Sequence, residues 1–435
     1  MHKRYELGLF LFVSILFAAM LFTLAYWQVF SSTLNDHLLN PRYQQLFCNP
    51  RGSVLDRHGN ILAQSLLIDG KYHRQYTEVS SLIHVIGYFH DKYGLTGIEK
   101  TYNDVLAREQ NLTTTIDLVI QSKIEKIFTD YVGAIVLLEP ATGAIIAMVS
   151  SPFIDYARME LDWENYLLDP NAPFVNRALQ GLYPPGSVLK PLILGAAYEE
   201  EIINADSKWD DQGELSIDGR VIKNFGGNAL GLIDPANALA FSSNVVFAEI
   251  ALKLQHSLLE YLKKAGLGQA TQIGLGESVG NLPNKVKGFE WGQIGIGQGE
   301  LLVTPMQMAV ISATIANNGV RMQPYLVYDS LAIRKTERVF SRTVAAKITE
   351  AMILAVNNGT ASLAQVSGVA VAGKTGTAQS PAGEDHSWFI GFAPANAPKV
   401  AIAVVVEHGG FGGQVAAPIA GEVLKMYFDL TQEER

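Results

Sequence analysis

Hydrophobic and polar positions alternate along this chain in several distinct rhythms. The first is no alternation at all: from Leu7 to Trp27, 21 consecutive residues carry no charge, enough for a helix to cross the hydrocarbon core of a bilayer. After a region of mixed pattern, Ile120, Ile124, Ile127, Phe128 and Tyr131 recur at helical spacing, with Thr115 and Asp117 placed to cap the helix start. Next come two apolar strand candidates, Ala134 to Leu138 and Ala144 to Val149, joined by the turn-rich Glu139-Pro140-Ala141-Thr142-Gly143. From about 155 to 345 the pattern is longer-period and helix-rich, with a Gly-rich stretch from Gly292 to Gly299. Three more strand candidates follow at Val369 to Ala372, Trp388 to Phe392 and Val400 to Val406, and a last helix is predicted from about Ala417. Two strands, a helical insertion, three strands and a closing helix predict an α+β domain: a five-stranded antiparallel sheet flanked by helices. Between anchor and domain, residues 31 to 115 read as a small irregular module. Its clearest feature is a hairpin of Ser53 to Leu55 with Ile61 to Ala63 around Asp56-Arg57-His58-Gly59-Asn60.

The chain thus divides into an anchor with its cytoplasmic tip (1–30), a short pedestal (31–115) and a large domain (116–435). His2, Lys3 and Arg4 precede the apolar run, and positive charge there keeps an N-terminus cytoplasmic, so the body is expected outside the membrane. A cleaved signal peptide is the competing reading. The run exceeds the usual signal core, and Tyr26 and Trp27 stand where a cleavage site needs small residues and a membrane interface takes aromatics. An uncleaved single-pass anchor is therefore expected. Over 435 residues, 48% hydrophobic and 17% charged side chains suit a folded core, and a net charge of -9 with no basic stripe argues against a nucleic-acid partner. Cys48 is the single cysteine, which excludes intrachain disulfides and paired-cysteine zinc sites.

Three short motifs carry candidate chemistry. In Tyr183-Pro184-Pro185-Gly186-Ser187-Val188-Leu189-Lys190-Pro191 a Pro/Gly turn delivers Ser187 to a helix start, and the helix run Val188 to Tyr198 places Lys190 one turn away on the same face. A serine nucleophile needs such a base within reach, and a helix N-terminus offers donors for an oxyanion. A helix start with an exposed lysine has the same pattern, and about one or two Ser-x-x-Lys matches arise by chance in a chain this long. Ser242-Ser243-Asn244, set in an apolar run, is either a helix cap or a polar site pressed against a core. Lys374-Thr375-Gly376-Thr377 puts a lysine between hydroxyls at a strand edge, suited to a carboxylate on an extended peptide. Each motif alone is weak; the ordered set of three is specific.

Two further patterns compete. Gly368 to Thr375 satisfies the phosphate-loop spacing of a P-loop NTPase, but its interior is Val-Ala-Val-Ala, and Gly376 and Pro381 follow where a helix should begin. Gly276-Glu277-Ser278-Val279-Gly280 matches a nucleophile elbow, but Asn281-Leu282-Pro283-Asn284 reads as loop. The nine histidines form no metal-ligand pattern, and His386 and His408 are expected at the surface or the rim of a site.

With these residues in place, the chain resembles the penicillin-binding proteins, specifically the monofunctional class B D,D-transpeptidases of peptidoglycan synthesis, for which Ser-x-x-Lys and Lys-Thr-Gly are signatures. Arg51 to Arg57 and Gly94 to Glu99 resemble two pedestal motifs of that class. Gly133 to Met148, Tyr183 to Pro191, Ser242 to Asn244, Gly295 to Pro305, Lys374 to Gln379 and Trp388 to Pro394 resemble its successive domain signatures. Val188 departs from the frequent threonine, the pedestal is shorter than in many relatives, and no segment is large enough for a glycosyltransferase domain. The resemblance implies that Ser187 is acylated by a stem peptide with release of the terminal D-alanine, and that a neighbouring stem's amine then takes the acyl group. It implies Lys190 as base, Ser242 as proton relay and Asn244 as orienter. Lys374, Thr375, Gly376 and Thr377 would bind the terminal carboxylate, with backbone donors of Ser187 and Thr377 at the oxyanion. It further implies acylation by β-lactams, a membrane glycan polymerase of the SEDS type as partner, and no cofactor or metal. A carboxypeptidase or endopeptidase, a β-lactam sensor or hydrolase, and a non-catalytic scaffold share the same fold and motifs.

Overall fold

In the computed structural model, residues 2–27, 48–329, 334–380 and 383–433 are described. The junction of anchor and pedestal, 28–47, lies outside the described residues. The first helix, His2–Ala25, has a 21-residue segment, Tyr5–Ala25, of mean hydropathy 2.6. It is the one helix among the described residues long and apolar enough to cross a membrane.

The central sheet has five antiparallel strands in the order Ala372–Ala378, His386–Ala393, Val400–Val406, Gly133–Leu138 and Ile145–Ser151. The apolar strands are nearly continuous because both faces are covered, so neither parity of position meets water. Val136, Ile390, Ala403 and Val405 point into the core shared with the helical insertion, whereas Ile135, Phe389, Ile402 and Val404 pack under the Leu118–Ile127 and Ala416–Glu433 helices. Behind the first face runs Pro305–Ala316, buried at all 12 positions, as a helix apolar around its whole circumference must be. It starts at a capping box in which Thr304 and Gln307 satisfy each other's backbone N–H groups.

The structure departs from the sequence expectations at four places. Asp117, not Thr115, caps the helix Leu118–Ile127, accepting from Val119 N and Ile120 N at 3.0 Å each. Thr115 instead donates to Ile145 O at 2.8 Å. The strand expected at Val369 to Ala372 is shifted to Ala372–Ala378, because pairing with the eight-residue strand His386–Ala393 carries the extended backbone through the whole Lys374 motif. The turn at Ser187 is a 3₁₀ segment, Gly186–Leu189, leading into the α-helix Lys190–Glu199. His386, expected at the surface or the rim of a site, is buried between the rings of Tyr183 and His408, next to Asp385 of the cleft wall.

The pedestal sheet runs Lys71–Tyr76, Ile61–Ile68, Val54–Leu55 and Leu112–Thr113. Its outer strand, Lys-Tyr-His-Arg-Gln-Tyr, has no apolar alternation to predict it. The two quoted pedestal motifs meet in space. Arg51 Nε donates to Glu99 Oε2 at 3.0 Å and Arg74 Nε to Glu99 Oε1 at 2.6 Å, all three side chains out of solvent. The pedestal also joins the domain directly: Leu118 N donates to Asp56 Oδ2 at 3.2 Å, and Tyr76 stacks on Tyr156 at 4.1 Å.

Candidate active site

Ser187 stands in a cleft of about 770 Å³ whose walls include Asn224, Ser242, Asn244, Thr375, Gly376 and Thr377. Its turn is held from several sides. Gly186, at φ +56°, donates to Gly297 O at 2.8 Å, and a Cβ on Gly186 would meet Thr377 O at 2.8 Å, so only glycine lets the turn lie this close to the edge strand. Trp388 Nε1 donates to Pro184 O at 3.2 Å, and Tyr183 exchanges backbone hydrogen bonds with Val303. Tyr183 OH donates to Glu407 Oε1 at 2.6 Å, and the same carboxylate takes Arg177 Nε at 2.8 Å. The loop therefore has little freedom at the residue before the helix.

Lys190 opens the helix and is wholly buried. Its Nζ donates to Ser242 O at 2.8 Å, to Asn244 Oδ1 at 2.8 Å and to Ser242 Oγ at 3.2 Å. Ser242 itself adopts φ +62°, a conformation that costs a side-chain-bearing residue about 1–3 kcal/mol and persists only where its surroundings over-determine it. Here its carbonyl and hydroxyl both face the Lys190 amine. Ser243, the other reading of this motif, does cap the helix Asn244–Leu254, accepting from Val246 N at 3.0 Å. The motif is thus a cap and a polar site at once.

Lys374 comes from the edge strand and is also wholly buried. Its amine turns inward, donating to Ser242 Oγ at 3.1 Å and Thr375 O at 2.8 Å, so Thr375, Gly376 and Thr377 rather than its ammonium line the cleft. Thr375 donates to Thr360 Oγ1 at 2.8 Å, and the Thr377 hydroxyl accepts from Gly412 N at 3.2 Å, which leaves its own proton free for a ligand. Burial lowers the Lys374 pKa to about 7. Lys190 is held well below the ordinary lysine value, first by burial and then by the Lys374 charge, with Asp211 acting in the opposite sense. An amine held below the ordinary lysine value beside a serine hydroxyl, here that of Ser242, is what base-assisted acyl transfer needs.

The competing motifs separate from this site. Lys374 and Thr375 sit inside a paired strand rather than in a loop before a helix, which removes the phosphate-loop reading. Ser278 is in an irregular segment and donates to Gln180 O at 3.1 Å.

A sequence model of the penicillin binding protein transpeptidase domain matches residues 133–425, and one of the penicillin binding protein A dimerisation domain matches residues 51–125. The chain belongs to the penicillin-binding D,D-transpeptidases. Peptidoglycan D,D-transpeptidase PbpA of Mycolicibacterium smegmatis is 32% identical to this transpeptidase, with 87% of this chain and 90% of that protein covered. Peptidoglycan D,D-transpeptidase MrdA of Escherichia coli is 28% identical over 83% of this chain and 71% of its own. Among solved structures, the D,D-transpeptidase domain of a peptidoglycan glycosyltransferase from Eggerthella lenta superposes with a TM-score of 0.82 at 30% identity, covering 88% of this chain and 99% of that one. Penicillin-binding protein A of M. tuberculosis, solved as its imipenem acyl-enzyme complex, gives 0.82 at 29% identity, with 88% and 100% covered.

Several residues at the site of this transpeptidase were invisible to motif reading. Asp211 and Asn224 are buried behind the Ser242 turn, Thr360 bonds Thr375, and Phe225 stacks on Phe411 at 5.2 Å in the cleft wall. Asp211 sits in Trp-Asp-Asp-Gln-Gly, which reads as an ordinary surface turn. Only its three-dimensional partners distinguish it.

Proposed function

We propose that this transpeptidase cross-links peptidoglycan stem peptides through an acyl-enzyme on Ser187. The observation that carries the reading is that Ser242 shares the wall of one cleft with Ser187 while its Oγ takes both members of a buried lysine pair, Lys190 and Lys374, from behind that wall. A neutral Lys190 has two N–H groups, which suit the two 2.8 Å acceptors, Ser242 O and Asn244 Oδ1. The lone pair that remains, beside Ser242 Oγ at 3.2 Å, is the one proposed to take the Ser187 proton.

In the acylation step Ser187 Oγ bonds to the carbonyl carbon of the penultimate D-alanine while its proton passes to Lys190. The C–N bond then breaks, and Ser242 hands a proton from Lys190 to the departing D-alanine amine. In the second step the amine of a neighbouring stem attacks the ester carbon, its proton returns through Lys190, and Ser187 leaves as the hydroxyl. Backbone donors of Ser187 and Thr377 serve the oxyanion. Thr375 and Thr377 hold the terminal carboxylate across Gly376, with the Lys374 amine behind them. β-lactams enter as substrate mimics that acylate Ser187; the solved penicillin G, ceftriaxone and imipenem acyl-enzymes of the M. tuberculosis relative support this.

Residues 1–30 serve as a single-pass anchor in the cytoplasmic membrane, 31–115 as pedestal and 116–435 as the catalytic domain on the extracytoplasmic side, supported by the basic tip before the Tyr5–Ala25 segment. A SEDS-type glycan polymerase in the same membrane is the proposed partner. Intact-mass analysis of the full chain in detergent after exposure to benzylpenicillin tests the core of the reading. One stable equivalent on wild type and none on Ser187→Ala is expected. Stoichiometric labelling of Ser187→Ala refutes the nucleophile, and rapid loss of the wild-type adduct points to a hydrolase instead.

A further inference from the structure

The strand Trp209–Asp211 passes behind the Ser242–Asn244 turn and brings a carboxylate that none of the roles above uses. Asp211 is fully buried. Its Oδ1 accepts from Gly213 N and Asn224 Nδ2, both at 2.8 Å, and its Oδ2 from Ser243 Oγ at 2.6 Å and Asn224 Nδ2 at 2.9 Å. Each of these partners donates, so the group acts as an acceptor on both oxygens, as a carboxylate does.

Two of those donors in turn govern the catalytic turn. Asn224, with its Nδ2 committed to Asp211, presents Oδ1 to Asn244 N at 2.7 Å and to Val245 N at 3.2 Å. Ser243, with its proton committed to Asp211, presents its lone pair to Val246 N. The first three N–H groups of the helix Asn244–Leu254 are thus capped by side chains that one buried anion orients. The Asn244 side chain is fixed at its other end by donating Nδ2 to Lys223 O at 2.8 Å, leaving Oδ1 aimed at Lys190.

We propose that Asp211 is a positioning residue of the acylation step, a buried anion that sets the Ser242–Asn244 turn through Asn224 and Ser243 so that its acceptors meet the Lys190 amine. This rests on the reading of Lys190 as the base of Ser187. Geometry and charge act together here. The groups facing Lys190 are Ser242 and Asn244 from the turn, Lys374 from the edge strand, the Phe247 ring at 5.4 Å, and the Asp211 charge from behind the turn. Asp211 is the acidic group that counters the crowding of two buried amines.

The second-order acylation rate with a fluorescent penicillin, measured from pH 6 to 10 on the full chain in detergent, tests the assignment in Asp211→Asn. The plateau rate is expected to fall roughly 10- to 100-fold, the cost of a misplaced catalytic group. The rising limb should move to lower pH, because loss of the nearby anion makes the Lys190 ammonium easier to deprotonate. The exchange Asp211→Asn with Asn224→Asp keeps an amide–carboxylate pair with its polarity reversed and should restore most of the plateau. A folded Asp211→Asn with the wild-type rate and limb overturns the proposal, as does a slow variant whose limb is unmoved and which the exchange leaves slow. Should Asp211→Asn lose its thermal transition, Ser243→Ala decides: a rate roughly three- to tenfold lower supports the network, and a wild-type rate overturns it. Lys190→Ala run alongside separates the two readings, since wild-type acylation there fails the base assignment itself, whatever Asp211 does.

Discussion

Replacing Lys374 by methionine should make the protein more stable at neutral pH while impairing its chemistry. The Lys374 amine ionises at about 7 in the folded chain against an ordinary 10.5. Below pH 7 both folded and unfolded chains carry the proton, and the folded state bears the full cost of a buried ammonium, about 5 kcal/mol at 1.36 kcal/mol per pH unit. Between 7 and 10.5 the folded amine is neutral while the unfolded one is still charged, so stability rises with pH and the cost falls to about 2 kcal/mol at pH 9. Methionine is of similar length and carries no charge. It gives up the amine's bonds to Ser242 Oγ and Thr375 O, about 1 kcal/mol each. The net expectation is a gain of about 2–3 kcal/mol at pH 7, several degrees in Tm, shrinking to about zero at pH 9. Thermal unfolding of the full chain in detergent at the two pH values measures this, and penicillin acylation run in parallel should fall by about 100-fold or more. A variant with the same Tm offset at both pH values, or a lower Tm than wild type at pH 7, refutes the burial argument. The expected trade of stability for function is the mark of a residue kept for its chemistry.

Two further substitutions test how the site and the pedestal are held. Gly297→Ala places a Cβ 2.0 Å from Gly186 O at a residue with φ +69°; it should displace the Ser187 turn, slowing acylation by about 100-fold and costing about 1–3 kcal/mol, whereas a wild-type labelling rate would show that the turn does not depend on this contact. Glu99→Gln leaves Arg51 and Arg74 buried against a neutral partner and should destabilise the pedestal by about 3–5 kcal/mol. Limited proteolysis should then cut within 51–110, and unaltered resistance would count against the ion-pair argument.

Much of the molecule was legible in the chain because apolar burial is non-directional and each side chain declares its own part of it. Val400 to Val406 reads as a strand buried on both faces, and it is one. Leu7 to Trp27 reads as membrane-length, and the membrane-length apolar helix segment is Tyr5–Ala25; the paired strands either side of Glu139 to Gly143 fall where the turn puts them. The three motifs also named residues that the fold brings to one cleft, because a Pro/Gly turn before a helix and a lysine between hydroxyls are local arrangements.

Polar chemistry was another matter. A serine, a lysine or an aspartate means nothing until the fold supplies its partner, and here the partners are far apart in the chain: Lys190 and Ser242 are 52 residues apart, Lys374 and Ser242 132. By sequence alone, then, the chain determined its membrane-length apolar segment, its α+β order of elements, its core strands and the three motifs that the fold brings together. Only the tertiary structure decided that the Lys374 amine faces Ser242 rather than the open cleft, that Thr115 bonds a strand while Asp117 caps the helix, and that Asp211 is buried beneath the Ser242–Asn244 turn. The reason is physical: hydrophobic burial is a property of one residue and its periodicity, whereas a hydrogen bond or a shifted pKa is a property of a pair, and the pair exists only after the chain has closed on itself.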